Sequence, residues 1–338
     1  MTSVGTSYGA APMATTVYDV RPGRRVVAVT HPSFPAPGAT DIALSVRTHD
    51  RAGVRRVDED WLERTWPEPS SRIVPIAGTR FPVDDAGESV RWHAADELPG
   101  TGKRLFLGLR EEVPHFALLL EQRADGPEEG GVGEGRWTTL REVVASLLEP
   151  DAGFMVHAVA LAEWHGSHRF CPRCGGRLHD TGAGHVLVCE QCRRQQFPRS
   201  DPAVIMMVTD GDRALLGRQD SWPEGRYSTL AGFVDPGESL EEAVVREVAE
   251  ETGVQVTDVT YFGNQPWPFP QSLMVGFFAR AVTTEIEVDG AEISDARWFT
   301  REDMKAGAQA GTLVLPGGIS ISRSLVEAWY GEPLPGSW

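Results

Sequence analysis

A mixed α/β fold, with two domains flanking a small metal-binding module, is the architecture this sequence predicts. Three observations predict it. The chain has 338 residues, more than one ordinary core accommodates. Strand-like and helix-like segments follow one another in both halves. All four cysteines fall between those halves, from Cys171 to Cys192.

The elements justify this in order. Residues 1–40 are rich in Gly, Pro, Ser and Thr and read as a loose tail running into a first strand near Arg25–Thr30. Residues 41–165 form the first α/β domain. Arg104–Leu109 and His115–Glu121 are strands separated by a charged turn ending at Pro114. Asp125–Arg136 is an acidic, glycine-rich connection. Thr139–Leu148 reads as a helix stopped by Pro150, and a second helix follows over Ala152–His165. Residues 166–198 hold the cysteines on short turns, and residues 199–338 make the second domain. Its strands are Ala203–Val208, Ala214–Leu216 and the largely apolar Leu273–Val282, with a closing helix over Ser320–Tyr330.

Composition narrows the function classes. Hydrophobic residues make up 41% and charged residues 24%, the balance of a soluble globular protein. A formal charge of −16 argues against a nucleic-acid surface built on bulk basicity, yet leaves room for a small anionic substrate neutralised locally by arginines and a divalent cation. No run of about 18 apolar residues is present, so no transmembrane helix is expected. The N-terminus lacks a basic segment followed by an apolar stretch, so no secretory signal is expected either, and the expected location is the cytoplasm.

Cys171-Pro-Arg-Cys174 and Cys189-Glu-Gln-Cys192 are two CxxC knuckles at the spacing of a zinc ribbon. Four thiolates with no open coordination position describe one structural Zn²⁺. Four chance cysteines at this spacing, or two redundant redox pairs, explain it less well. His165, His168, His179 and His185 lie nearby and read as surface or packing residues. Arg193, Arg194 and Arg199 leave a nucleic-acid contact open, although a short basic stretch is more often a solvated surface.

The decisive segment is Gly232–Val254, GFVDPGESLEEAVVREVAEETGV. Ser239 and Glu242 form a capping box that starts a helix, and Gly253 supplies its left-handed end. At about 100° per residue, Glu250, Glu247 and Glu251 fall within a wedge roughly 100° wide. Val244, Val248 and Val245 lie in the neighbouring sector and are expected to face the core, with the carboxylates at its edge. Like charges held at these spacings repel unless cations intervene, and clustered hard oxygens suit Mg²⁺ or Mn²⁺. A merely solvated glutamate face does not account for the fixed residues around the helix.

Those fixed residues carry a resemblance. Gly232, Glu238, Arg246, Glu247, Val248, Glu250, Glu251, Gly253 and Val254 match the Nudix box, Gx5Ex7REUxEExGU, at every defined position. Asn264-Gln-Pro-Trp-Pro-Phe-Pro-Gln-Ser272 follows, a stiff array whose rings are expected to be presented from a loop rather than held in a regular strand. It resembles the SQPWPFPxS array of the NADH pyrophosphatase branch, which also acts on NAD-capped RNA. Asn264 replaces the usual Ser, and the other positions match. The upstream ribbon and the leader Glu163-Trp164-His165…Phe170-Cys171 also resemble that branch, and the resemblance is close from about Arg141 onward.

The resemblance implies an α/β/α sandwich as the catalytic domain and a degenerate copy of it, serving as a dimer platform, at the N-terminus. It implies that Glu247, Glu250, Glu251 and Glu292, with the Ala231 carbonyl, hold Mg²⁺ or Mn²⁺. Arg246 would anchor the box and Glu238 would support its loop. Gln265, Pro266, Trp267, Pro268, Phe269, Pro270, Gln271 and Ser272 would line the nucleotide site. Phe197 would stack on the base, and Arg141 and Ser322 match substrate-contact positions. The implied protein is a homodimer that cleaves NAD(H) to nicotinamide mononucleotide and AMP and also removes the NAD cap of RNA. ADP-ribose or a diadenosine polyphosphate are rival substrates. A non-catalytic nucleotide sensor is a rival of another class, against which the complete set of box glutamates counts.

Overall fold

The computed structural model describes residues 42–45, 47–120, 135–288 and 290–334. The tail, the strand expected at Arg25–Thr30 and nearly all of the acidic glycine-rich connection lie outside the described residues.

In the N-terminal part, α1 (Glu59–Thr65) precedes β1 (Arg72–Ile76) and β2 (Arg80–Val83). The hairpin β3 (Lys103–Arg110) and β4 (Val113–Leu119) follows, then β5 (Arg136–Thr139). The order β1-β4-β3 has β1 parallel to β4, while β2 and β5 form a separate antiparallel pair. Both faces of the three-stranded sheet are covered. Val74, Ile76, Leu105, Leu107 and Ala117 pack against Phe154, Met155, Ala158 and Leu161 of α3 (Asp151–Ser167). Ile73, Phe106, Phe116 and Leu118 pack with Trp66 on the other side. The α3 helix is apolar nearly all round, as a helix buried on several sides must be.

The helix expected over Thr139–Leu148 is shorter than the pattern suggested. A capping box at Thr139 and Glu142 starts α2, but it covers only Leu140–Val143. Tertiary hydrogen bonds then divert the chain: Ser146 Oγ donates to Gly87 O (3.0 Å) and Leu148 N to Glu88 O (2.9 Å).

The ribbon is the three-stranded antiparallel set β6 (Leu178–Thr181), β7 (Val186–Cys189) and β8 (Gln195–Gln196). It docks on the N-terminal core through Leu187.

The C-terminal part contains β9 (Asp201–Thr209), β10 (Arg213–Arg218), β11 (Leu230–Phe233), α4 (Leu240–Thr252), β12 (Val256–Trp267), β13 (Ser272–Ala281), β14 (Asp295–Thr300), α5 (Arg301–Ala310) and α6 (Ile321–Tyr330). The sheet order is β12-β13-β9-β10-β14, with β11 paired to β9 and with β9 and β13 parallel. One face, through Val204, Met206, Val208, Val275 and Phe277, packs on Ala243, Val244 and Val248 of α4. The other face carries α6, whose Ile321 comes so near the sheet that a methyl on Gly276 would lie 3.0 Å from its Cδ1. This is the expected α/β/α sandwich.

Two local expectations are corrected. Val245 is exposed rather than in the core, and the buried face of α4 instead runs through Ala243, Val244, Glu247, Val248, Glu251 and Thr252. At about 100° per residue, Val245 falls some 100° away from Val244, beyond the sheet's reach. The proline–aromatic array is only partly a loop. Asn264–Trp267 complete β12 in register with β13, Trp267 facing Ser272. Pro266 is tolerated there because β12 is an edge strand, where a missing N–H need not break the ladder.

Candidate active site and zinc centre

The glutamate site is built by a strand and a helix. Ala231 and Gly232 lie on β11, opposite Ile205 and Val204 of β9. The α4 helix crosses above them. Its Ser239 Oγ accepts from Glu242 N (3.2 Å), Glu242 Oε2 accepts from Ser239 N (3.0 Å), and Gly253 ends it at φ +71°. These caps fix which residues point down at β11. Glu247 does, at 8% exposure, while Glu251 is buried at 5% and Glu250 stands at the solvent edge.

Glycine at 232 is required by this packing. A methyl there would lie 1.9 Å from Glu247 Cδ, so only a bare backbone lets the carboxylate reach the strand.

Arg246 holds the loop and the helix together. Its Nε and Nη2 donate to the two Glu238 oxygens (2.8 and 2.9 Å), a bidentate pair. Nη2 also donates to Phe233 O (2.9 Å), and Nη1 reaches Glu247 Oε1 (2.8 Å) and Glu250 Oε2 (3.0 Å). Glu238 Oε2 accepts in addition from Asp235 N (3.0 Å), which closes the turn before the helix. The Arg246 guanidinium accordingly holds the Glu238 carboxyl below the usual range. Burial pushes Glu247 the other way, upward, against the pull of Arg246 and with added repulsion from Glu250 and Glu292. Glu292 comes from the turn between β13 and β14, so two separate segments contribute carboxylates whose charges are felt at Glu247.

The substrate-contact candidates are distributed differently. Gln265 is buried, and its amide is fully used: Nε2 donates to Ala43 O and Ile319 O (both 2.7 Å), and Oε1 accepts from Ile321 N (2.9 Å). Ser322 is also buried, against Ser228 Oγ (2.9 Å) and Thr229 Oγ1 (2.8 Å). Gln265 thus ties the array to the start of α6, and Ser322 ties α6 to the segment before β11. Trp267 and Phe269 meet edge to face at 5.0 Å. Phe269 packs against the N-terminal core, with the Arg141 guanidinium 4.6 Å above its ring. Gln271 Nε2 donates to Asp201 Oδ2 (2.8 Å), tying the array to the start of β9. Phe197 is 60% exposed just before that strand. Phe233, at a position the box leaves undefined, is 61% exposed beside Gly232.

In the ribbon, the four Sγ atoms lie within 4.8 Å of one another, with Cys171–Cys192 at 3.7 Å and Cys174–Cys189 at 3.5 Å. A tetrahedron of Zn–S bonds places its sulfurs about 3.8 Å apart. Backbone N–H groups of the knuckles favour the thiolate, that of Arg173 lowering Cys171 and that of Cys192 bringing Cys189 down to about 6, whereas Cys174, despite the Gly176 N–H, is pushed up to about 11 by its contacts with the Cys189 and Cys192 sulfurs. Among the described residues this is the one group of three or more metal-ligating side chains gathered so closely. The glutamates surround their site more loosely.

The nearby histidines serve packing. His165 Nε2 donates to Gly184 O (2.8 Å) and its Nδ1 accepts from Lys103 Nζ (3.0 Å). His185 Nε2 donates to Phe106 O (2.8 Å). Each tethers the ribbon hairpin to the N-terminal part.

Comparison with known proteins agrees with this layout. The sequence model of the NUDIX domain matches residues 199–315. The NADH pyrophosphatase-like rudimentary NUDIX domain matches residues 70–164, and the NADH pyrophosphatase zinc ribbon domain residues 167–197. The chain is 47% identical over 305 residues to the NAD-capped RNA hydrolase NudC of Mycobacterium bovis, a match spanning 83% of this chain and 92% of that one. It is 38% identical over 263 residues to the NudC of Stutzerimonas stutzeri, spanning 78% and 87%. Its 43% identity to the NAD-capped RNA hydrolase NUDT12 of Homo sapiens extends over 196 residues, 54% of this chain but only 42% of the length of that relative. The complete glutamate box, the four-cysteine ribbon and these matches together place the chain in the Nudix hydrolase family, in the branch that carries the NADH pyrophosphatase zinc ribbon.

Proposed function

We propose that this chain hydrolyses the pyrophosphate bridge of NAD(H), giving nicotinamide mononucleotide and AMP, and cleaves the same bond where NAD caps the 5′ end of RNA. The observation that carries the reading is the Glu247 carboxylate, buried against the Gly232 backbone beside Glu251 and fixed by Arg246. Buried carboxylates that repel one another serve the fold poorly. They suit a divalent cation, which relieves the repulsion.

The donor set fits that ion. Hard oxygens from Glu247, Glu250, Glu251, Glu292 and the Ala231 carbonyl would hold Mg²⁺ or Mn²⁺, and the four cysteines would hold one Zn²⁺. The catalytic cation supplies charge neutralisation at the diphosphate and a lowered pKa for bound water. The chain supplies the positioning. Arg246 prevents α4 from sliding over β11, so the carboxylates keep their spacing through the reaction. A glutamate at the solvent edge, such as Glu250, accepts the proton of the attacking water. The array, tied to α6 by Gln265, offers Trp267 and Phe269, and Phe197 offers a further ring for the base. Phosphoryl chemistry asks little more of a protein than this placement. The same reading includes a homodimer and a cytoplasmic location. Among the described residues no helix is long and apolar enough to cross a membrane.

The test is a product assay with NADH, NAD⁺, ADP-ribose and 5′-NAD-capped RNA, with Mn²⁺ or Mg²⁺ and with EDTA. Metal-dependent release of nicotinamide mononucleotide and AMP is the expected result. Cleavage of ADP-ribose alone would move the substrate to another nucleoside diphosphate, and no cleavage by zinc-loaded, folded protein would end the catalytic reading.

A further inference from the structure

The charge of this chain is unevenly placed. The whole chain carries −16, yet residues 167–199 hold six arginines (Arg169, Arg173, Arg177, Arg193, Arg194, Arg199) against two acidic residues, Asp180 and Glu190. The segment stays positive even after the two negative charges that a zinc tetrathiolate adds. All six arginines are exposed. Among the described residues only Arg199 of the six makes an ion pair, with Asp201 at 3.0 Å. Fold stability therefore does not explain this basicity.

Two aromatics of the same segment are exposed as well. Phe170 is 57% exposed, with the Arg177 guanidinium 5.9 Å from its ring, and Phe197 is 60% exposed. Large rings left in water beside unpaired guanidinium groups form the combination that single-stranded nucleic acids use: stacking for bases, charge for phosphates. The surface also leads to the proposed catalytic centre. From Arg199 the chain enters β9, and Val204, five residues on and at most about 17 Å along extended chain, lies opposite Gly232. At Asp201 the strand is bonded to Gln271 of the array.

We infer that the exposed arginines of the ribbon, with Phe170, form the track that holds the RNA strand downstream of the cap. The inference rests on the capped-RNA reading above and deepens it: the box cleaves the cap, and the ribbon grips what the cap is attached to. Free dinucleotide is too short to use the track, so the ribbon sets the preference for capped RNA without affecting the chemistry.

The test uses full-length, zinc-loaded protein and the triple variant Arg169→Gln/Arg177→Gln/Arg194→Gln, with the matching Arg→Lys triple as a charge-preserving control. Two quantities are read: anisotropy of a fluorescein-labelled, uncapped single-stranded oligoribonucleotide, and kcat/KM on NAD-capped RNA and on NADH. The glutamine triple is expected to lose at least about tenfold in oligonucleotide affinity and in capped-RNA kcat/KM, through KM. The salt dependence of log K should flatten by about 2 as three phosphate contacts disappear. NADH turnover and zinc content should be unchanged, and the lysine triple should stay close to wild type. Phe170→Ala should weaken the oligonucleotide at least about fivefold by removing one stacking ring. Equal affinity and equal salt slope in wild type and glutamine triple would overturn the track, as would a wild type that does not bind the oligonucleotide. Failure of the wild type to cleave either substrate would strike the catalytic reading alone, because anisotropy needs no turnover.

Discussion

The N-terminal and C-terminal parts both place a helix over a sheet, and they use that helix oppositely. The α3 helix meets its sheet with Phe154, Met155, Ala158 and Leu161, and its buried polar groups are the imidazoles His157 and His165. The α4 helix places two carboxylates, Glu247 and Glu251, into its buried face among Ala243, Val244 and Val248. The first arrangement is what packing alone would select. The second costs desolvation and like-charge repulsion, and it persists because Arg246 and the bare backbone at Gly232 accommodate it. The difference separates a part that stabilises from a part that is prepared for a metal and its chemistry.

The largest effect that would sharpen this contrast is on turnover. Glu247→Gln or Glu251→Gln should lower kcat by roughly 10³-fold or more while leaving the thermal midpoint unchanged or higher, since a buried charge with its repulsion is removed. Near-normal activity in either would void the metal assignment. Gly232→Ala should fall in the same direction, through displacement of the Glu247 carboxylate.

Cys171→Ser should act on stability instead. Loss of the zinc site is expected to cost about 3–5 kcal/mol and to loosen the ribbon from the N-terminal core, read as zinc content and thermal midpoint together. Zinc lost with the midpoint intact would remove the structural role.

Acid should divide the two parts. Burial holds His49, His115, His165 and His185 down to about 4, against an ordinary value of 6.5. His49 and His115 both stack on Phe154, and His157, pushed still lower by burial, stacks on His49. The unfolded chain therefore binds more protons than the folded one. The stability these neutral imidazoles contribute is fully present above about pH 6.5 and is lost as pH falls toward 4, at a slope on the order of 1 kcal/mol per pH unit for each group. Hydrogen exchange between pH 7 and 4.5 should show α3 and the ribbon loosening before α4. Simultaneous loosening of both would break the comparison.

The smallest effect is at the contact between the parts. Arg141→Ala removes the guanidinium over Phe269 and should raise KM for NADH about two- to fivefold with kcat little changed, in keeping with a partly exposed cation–π pair. An effect on kcat alone would show that Arg141 does not act through the array.

How much was readable in advance follows from how local each signal is. The caps of α4, its length and the wedge of Glu247, Glu250 and Glu251 depend on a 3.6-residue period and on neighbouring side chains, and they appear as the sequence implied. The cysteine knuckles are equally local. The α2 helix was overestimated because Ser146 and Leu148 bond to Gly87 and Glu88, nearly 60 residues away, which no local period records. The array's prolines discourage strands, so its sequence reads as a presented loop. Only the sheet order shows that β12 lies at an edge, where proline costs little.

The sequence by itself determined the chemistry available: oxygen ligands on one helix, sulfur ligands on two knuckles, and rings in a proline frame. Tertiary structure decided which of these groups face one another. The bare strand beneath Glu247, the approach of Glu292 from a distant turn, and the use of Gln265 and Ser322 as braces rather than free polar groups arise from long-range packing. Contacts of that kind are selected by the free energy of the whole fold, so no single segment of the chain encodes them.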